Sequence, residues 1–207
     1  MASGGEIHAA LPLPASLRRR ITPIGRKALE AAWAVLAGRP GLEPRIILSS
    51  RHGEYARTLG LLSSLAESGE VSPAEFSLAV HHGLAGLLSI VTGNRAGHTA
   101  VAAGIDSFGA ALWEAAACLA DGDGTILLLH FDEALPEFYG QVGGGSEPAQ
   151  ALALLLSAGE GIHLDWRKAE VAGTESAAGA LLDLLAGGTD RASAAGERMI
   201  WSFRRVA

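Results

Sequence analysis

The chain has 207 residues, enough for one domain with a substantial core, because a chain of this size buries about 70% of its unfolded surface on folding. With 49% hydrophobic and 18% charged residues it is typical of a globular protein. The net charge of −6 argues against nucleic-acid binding. No apolar run reaches the roughly 18 residues of a membrane span, and the first twenty residues lack the pattern of a secretory signal. The single cysteine, Cys118, leaves no internal disulfide, so we expect a cytoplasmic protein.

Along the chain, residues 1–20 are predicted to be a flexible lead and residues 21–207 one folded domain. Apolar spacing predicts, in chain order, a helix over 25–36, a strand over 45–50, a helix over 54–66, a helical region over 72–91, a strand over 100–103, a helix over 107–119 and a strand over 125–131. A Gly/Pro/Ser-rich loop over 140–149 precedes a strand or buried helix over 151–157, a helix over 177–185 and a strand over 199–204. This alternation predicts an α/β layered fold with a mixed central sheet flanked by helices.

The most informative stretch is His98–Ala117, HTAVAAGIDSFGAALWEAAA, which reads as a buried strand, a tight glycine turn and an apolar helix. In many enzymes such an elbow presents a nucleophile, and the helix N-terminus stabilises a thiolate or oxyanion. Here Gly104 is followed by Ile105, with Asp106 and Ser107 beside it. The scaffold of a reactive site is therefore predicted without a cysteine nucleophile.

Three segments in order carry a family resemblance. They are 45–54 (RIILSSRHGE), 72–97 (SPAEFSLAVHHGLAGLLSIVTGNRAG) and 99–115 (TAVAAGIDSFGAALWEA). Together they resemble the N-terminal half of a β-ketoacyl synthase of the thiolase superfamily, whose elbow reads Thr-Ala-Cys-x-Ser-Gly. Matching Glu114-Ala115 to the end of the family's helix puts Ile105 where the cysteine belongs, and neither Gly104 nor Asp106 supplies one in a shifted register. The resemblance implies a thiolase-like fold, here as a single truncated lobe, a β-ketoacyl-synthase-like N-terminal domain.

The departures from the family point to a non-catalytic subunit. A full synthase has a second half that brings two histidines in glycine-rich loops, and no His-Gly-Thr-Gly stretch occurs here. The pattern is similar to chain length factors of type II polyketide synthases, and more narrowly to the short ketosynthase N-terminal-domain proteins of aryl polyene synthesis. The resemblance implies a heterodimer with an active ketosynthase, contact with an acyl carrier protein, a share in the acyl tunnel wall, no catalysis by the chain alone and no cofactor. A homodimer of the isolated chain stays open.

Two sets of residues are candidates for these contacts. The tunnel or interface candidates are Phe76, Leu78, His81, His82, Thr99 and Val101. The candidates for docking an acidic carrier protein are Arg18, Arg19, Arg20, Arg26 and Lys27, although a solvated charge run is the simpler interpretation. No metal is expected, because adjacent histidines on a helix point about 100° apart. An unpaired apolar strand at 99–103 is an aggregation hazard, which also favours a partner there.

Two other functions compete with this one. Ser107 is a candidate nucleophile of a serine hydrolase or thioesterase, with Asp132 and His163 following in the order of a triad; helix capping by Asp106 and Ser107 is the alternative. A homodimeric acyl-chain binding protein is the third hypothesis. Cys118 is expected to be a small buried hydrophobic residue, and His130 a core histidine with its hydrogen bonds satisfied.

Overall fold

The computed structural model describes residues 11–135, 139 and 149–206. The helices are α1 (Ala15–Arg18), α2 (Pro23–Leu36), α3 (Tyr55–Ser68), α4 (Pro73–Ala79), α5 (Gly83–Thr92), α6 (Ser107–Ala120) and α7 (Ala177–Leu185). The strands are β1 (Arg45–Ser49), β2 (His98–Val101), β3 (Ile126–Asp132), β4 (Gln150–Leu156), β5 (Ile162–Lys168), β6 (Arg191–Ala195) and β7 (Met199–Arg205).

The first sheet is the mixed sheet that the sequence predicts. Its order is β2-β1-β3-β4, with β1 parallel to β2 and β3, and β4 antiparallel to β3. Residues 126–131 of β3 are all buried, because helices cover both faces of the sheet. The segment 151–157, which periodicity left undecided, lies in β4 except for its last residue and forms an edge of this sheet.

A second sheet, β5-β7-β6, is entirely antiparallel. Helices α6 and α7 lie between the two sheets, since one buried cluster joins Ile47 and Leu128 of the first sheet, Leu181 of α7, and Trp201 and Phe203 of the second. Helices α2 and α5 cover the other face of the first sheet through a separate cluster. The layers therefore run helices, sheet, helices, sheet, which confirms a thiolase-like layered α/β fold.

The sequence patterns located the helices well and missed two strands. The predicted helices lie within three residues of the observed ends, and the helical region over 72–91 divides into α4 and α5. Strands β5 and β6 were missed because β5 is exposed at six of its seven positions and β6 is short and Ala-rich. Within the predicted lead, α1 forms one turn and Leu11 is buried. The predicted loop over 140–149 lies outside the described residues except for Ala149.

Helix ends follow the local sequence. Thr22 accepts the Gly25 amide proton at the start of α2, and Ser72 accepts that of Glu75 at the start of α4, each with a proline next in sequence. Among the described residues no single helix is long and apolar enough to span a membrane. Helices α4 and α5 reach that length and apolar composition only when taken together, and they are bent by 95°.

Gly109 sets the distance between α6 and the second sheet. A Cβ atom at this position would overlap the indole of Trp201, which is only 3% exposed. We expect Gly109→Ala to lower the free energy of unfolding by about 1–3 kcal/mol, because the buried ring has no space to move into. The measurement is urea unfolding followed by circular dichroism.

The matched control is Gly60→Ala on α3, where an added Cβ meets no atom within 4 Å. That change should raise the free energy of unfolding by about 0.5–1 kcal/mol, since alanine is the better helix former. A Gly109→Ala protein as stable as the wild type would contradict the packing of α6 against β7.

Candidate functional site

The elbow between β2 and α6 has the predicted sharp turn. Gly104 adopts a left-handed conformation with φ 64°, and a Cβ atom there would lie 2.7 Å from a carboxylate oxygen of Glu197. The amide of Ser107 then donates to the Gly104 carbonyl at 3.2 Å and starts the helix. Residue 105 thus lies in the turn between the strand and the helix. This residue is Ile105, which is half-buried and has no reactive group.

The Ser107 hydroxyl is used by the elbow itself. It is 1% exposed, donates to the Gly104 carbonyl at 2.6 Å and accepts the Ala103 amide proton at 2.9 Å. The predicted helix capping by this side chain is therefore wrong, because both bonds go to the turn before the helix. The triad is not assembled either, since His163 lies on the outer face of the second sheet while Asp132 ends β3.

Asp106 joins the elbow to the second sheet. It stands at the N-cap position of α6, but its side chain makes no cap hydrogen bond, which corrects the predicted capping role. Its buried carboxylate instead accepts the Arg198 amide proton at 2.8 Å and the Trp201 indole proton at 2.9 Å. The Arg198 side chain adds an ion pair at 3.9 Å. The buried charge is thereby satisfied from one direction only, the β6–β7 hairpin.

The tip of that hairpin closes over the elbow. The Arg198 guanidinium donates to the Ala103 carbonyl at 3.1 Å, and the Glu197 carboxylate lies beside Gly104. Gly196 is required at the tip, because a Cβ atom there would overlap the Asp106 carboxylate. The elbow is held on one side by β2 and on the other by residues 196–198.

A second polar cluster lies where β1 and β3 end. The His130 Nδ1 atom is 3.1 Å from the Ser49 hydroxyl oxygen, and its Nε2 atom is 3.8 Å from an Asp132 carboxylate oxygen. The arrangement has the residue types of a triad, but Ser49 is fully buried and His130 is 3% exposed, so no substrate reaches it. Asp132 accepts hydrogen bonds from the Ser50 hydroxyl and the Arg51 amide and fixes the turn after β1.

Burial lowers the pKa of His130 below its usual value, against a weaker opposing effect of Asp132. The imidazole packs edge-on against Phe108 of α6 at 5.1 Å between ring centroids. His130 is the satisfied core histidine that the sequence suggests, and it supports the helix that follows the elbow.

A family model for the β-ketoacyl synthase N-terminal domain matches residues 4–201. The chain belongs to this family. Among solved structures, a chain of the complex of ketosynthase ApeO with its chain length factor ApeC from Xenorhabdus doucetiae is 28% identical, with a TM-score of 0.84 over 95% of this chain and 83% of that one. Among curated proteins, none matches the sequence.

Two further structures share the fold at lower identity. A β-ketoacyl synthase from Burkholderia phymatum is 15% identical, with a TM-score of 0.60 over 90% of this chain and 58% of that one. A chain of AntDE:AntF, a complex of a type II polyketide synthase acyl carrier protein with its ketosynthase, is 14% identical. Its TM-score is 0.57 over 95% of this chain and 50% of that one. At these identities the likeness shows the fold alone.

Within this β-ketoacyl synthase domain, the tunnel and interface candidates occupy three places. Phe76 of α4 is 60% exposed, whereas Leu78 packs against the core of α2 and α5. The His81 ring lies against Gly53, and its buried Nε2 atom has no hydrogen-bond partner among the described residues. The His82 ring faces His98 of β2 with centroids 4.9 Å apart. Both histidines lie in the turn between α4 and α5, not on a helix as the sequence suggested. The described residues contain no group of three or more metal-ligating side chains.

Strand β2 forms an edge of the first sheet. The Thr99 hydroxyl accepts a hydrogen bond from Arg45, and Val101 packs toward α6. The amides of Ile46 and Ser50 bond to the carbonyls of Gly97 and Val101, so the odd-numbered residues of β2 face β1. The backbone groups of residues 98 and 100 therefore point away from the sheet.

The basic candidates lie together at the other end of the chain. All five are exposed and form no ion pair among the described residues: Arg18, Arg19, Arg20, Arg26 and Lys27. The Arg18 guanidinium donates to the Leu13 carbonyl. These side chains, at α1 and near the start of α2, form a solvated basic surface.

Removing the Asp106 carboxylate should uncouple the second sheet from the elbow. We expect Asp106→Ala to lower the free energy of unfolding by about 2–4 kcal/mol, because the buried indole and amide donors lose their acceptor. Arg198→Ala is the matched control and should cost under about 1 kcal/mol, since its guanidinium is exposed and its amide remains. Equal losses in the two variants, measured by urea unfolding, would contradict the role of the carboxylate.

Stability should fall on acidification through His130. The pKa of His130 in the folded protein lies below its value of about 6.5 in the unfolded chain, so the unfolded chain binds a proton first on acidification. The contribution of the neutral imidazole to stability is therefore present above about pH 6.5 and is lost as the pH falls below it. The slope should not exceed about 1.36 kcal/mol per pH unit for this group. Urea unfolding between pH 5 and 8 should give a flatter profile for His130→Gln than for the exposed control His163→Gln, and identical profiles would refute the assignment.

Proposed function

We propose that this chain is a non-catalytic, chain-length-factor-like subunit that pairs with an active ketosynthase in polyketide synthesis of the aryl polyene type, acting in the cytoplasm. The observation that carries the proposal is the elbow, in which the left-handed Gly104, the hydrogen bonds of Ser107 and the following helix surround Ile105. By the resemblance, position 105 is where an active synthase has its cysteine. An isoleucine has no lone pair to attack a thioester. The partner would supply the cysteine and histidines for decarboxylative condensation.

The extent of the likeness differs between the three solved structures. The chain spans 83% of the chain it matches in the ketosynthase–chain length factor complex, but 58% and 50% of the chains it matches in the other two structures. The described elements place a three-stranded sheet over the elbow, and the loop at its tip brings Glu197 and Arg198 rather than histidines.

Two surfaces suit a ketosynthase partner. No described strand pairs with the outer edge of β2, where a strand from a partner would find free backbone groups. Helices α3 and α4 contain no buried residue, and these helices with the residue after α4 expose a set of large apolar side chains: Leu62, Leu65, Phe76 and Val80. We infer that the ketosynthase contacts this surface beside its acyl tunnel, and Phe76 is the most exposed aromatic residue there.

The basic surface at α1 and α2 is proposed to guide an acidic acyl carrier protein to the complex. Exposed charges on a rim chiefly change the association rate and its salt dependence. Arg19, Arg26 and Lys27 are exposed and form no ion pair with another described residue, which suits such a role.

The test is co-expression with the ketosynthase encoded beside this chain, followed by affinity purification and size-exclusion chromatography with light scattering. We expect a stable 1:1 complex whose condensation activity depends on the partner's cysteine. Ile105→Cys should not confer condensation on the isolated chain. A chain that ignores the synthase and forms a lipid-loaded homodimer would refute the proposal and favour an acyl-chain binding protein.

A proline at the open edge should break the complex without unfolding the chain. Ala100→Pro removes an amide proton that points away from β1, so we expect an unchanged monomer fold and at least about a tenfold weaker complex, the loss expected for a disrupted β-strand addition. Pull-down titration measures the affinity.

The matched control is Lys168→Pro on β5, the edge of the second sheet. There, residues 161 and 169 bond to β7, so the amide of residue 168 also points outward. This variant should bind the synthase like the wild type. If both prolines weaken the complex equally, the partner does not dock along β2.

A further inference from the structure

The outer face of the second sheet is polar and open. Alternation along the strands sends Trp201, Phe203 and Ala194 inward to α6 and α7, and no described element covers the opposite face. That face forms a groove of about 550 Å³. Its side chains come from all three strands: His163 and Asp165 of β5, Ser202 and Arg204 of β7, and Arg191 and Ser193 of β6.

Two arginines stand directly opposite each other in this groove. Arg191 pairs with Arg204, and the neighbouring register 190 with 205 is the hydrogen-bonded one, because the Arg205 amide donates to the Asp190 carbonyl. Arg191 and Arg204 therefore form a non-hydrogen-bonded pair, the type that brings side chains closest. Like charges in this position destabilise a sheet. Neither guanidinium has an ion pair or hydrogen bond within the described part of the chain.

The surrounding groups complement an oxyanion. His163 lies opposite Arg204 on its other side, which gives one row of nitrogen donors across three strands. The next row places the hydroxyls of Ser193 and Ser202 opposite each other. Guanidinium groups bind phosphate through paired N–H donors, and hydroxyls add neutral donors to the remaining oxygens.

We propose that this groove binds the phosphate group of a small phosphorylated molecule. Arg191 and Arg204 would clamp the phosphate between them, which removes their mutual repulsion, while Ser193 and Ser202 donate to its oxygens. The volume lies in the range of small-molecule sites, about 300–1,000 Å³. Asp165, the acidic side chain of the groove, lies on β5 opposite Ser202, and its Oδ1 atom accepts the Trp166 amide hydrogen bond. Its other oxygen would accept a hydrogen bond from a hydroxyl of the ligand beside its phosphate.

The site is independent of the ketosynthase partner, so its test uses the full chain alone, or the co-purified complex where the chain requires it. Inorganic phosphate and pyrophosphate are titrated in by calorimetry at constant ionic strength set with sodium chloride, and citrate serves as the carboxylate probe. We expect saturable binding of pyrophosphate that weakens roughly tenfold in Arg204→Gln and in Arg191→Gln, the loss of about one charge-assisted hydrogen bond. Arg95→Gln, an exposed arginine elsewhere, should bind like the wild type.

Thermal unfolding gives a second readout that a merely structural role would not produce. Without added anion, Arg191→Gln and Arg204→Gln should each raise the midpoint, because each removes a like-charge contact. Phosphate should raise the midpoint of the wild type and not of these two variants. Absence of saturable binding, equal binding of citrate, or an equal loss in Arg95→Gln would each overturn the proposal.

Discussion

The buried carboxylate of Asp106 is the interaction on which the arrangement of the molecule depends. It lies at the start of α6, between the elbow and the second sheet, and accepts hydrogen bonds from the Arg198 amide and the Trp201 indole. Both donors belong to the β6–β7 hairpin, so the sheet cannot shift without leaving a charge buried and unpaired. Gly109 and Gly196 permit this contact because any side chain there would overlap Trp201 or Asp106. The start of α6 is thereby fixed to the β6–β7 hairpin through Asp106.

Ile105 fits this change of role. A catalytic elbow keeps its nucleophile accessible and poised by a base, and here the adjacent serine hydroxyl is committed to the turn while the hairpin tip lies over the backbone of Ala103 and Gly104. The triad-like group of Ser49, His130 and Asp132 lies deeper still, and it braces the strand ends under α6. The elbow therefore keeps its left-handed glycine and its serine hydrogen bonds, with Ile105 between them.

Sequence reasoning recovered β1, β2 and β3 of the first sheet because they are continuous apolar runs, and its helices because they carry caps or apolar stripes; β4 stayed undecided between strand and helix. It recovered the elbow because the family pattern persists around Ile105. It did not anticipate β5 and β6, whose polar alternation and alanines resemble loops, and therefore it missed the hairpin that holds Asp106. The capping role assigned to Asp106 was wrong for the same reason: helix-start statistics describe local bonds, whereas here Arg198 and Trp201, about ninety residues away in sequence, compete successfully for the carboxylate. The capping role of Ser107 was wrong for a local reason, because its hydroxyl bonds to Ala103 and Gly104 in the preceding turn.

The way α3 and α4 are attached explains why their apolar side is free for a partner. Neither helix has a fully buried residue, and Leu78 of α4 is partly buried against the core of α2 and α5. The anchor is Arg57, which pairs with Glu54 at 3.8 Å, binds Glu75 of α4 and donates to the Arg20 carbonyl. Burial raises the pKa of Glu54, against a weaker opposing effect of its hydrogen bond from Thr22. Because Arg57 holds α3 and α4 by polar contacts, the side chains of Leu62, Leu65 and Phe76 stay exposed, and a ketosynthase partner would bury them.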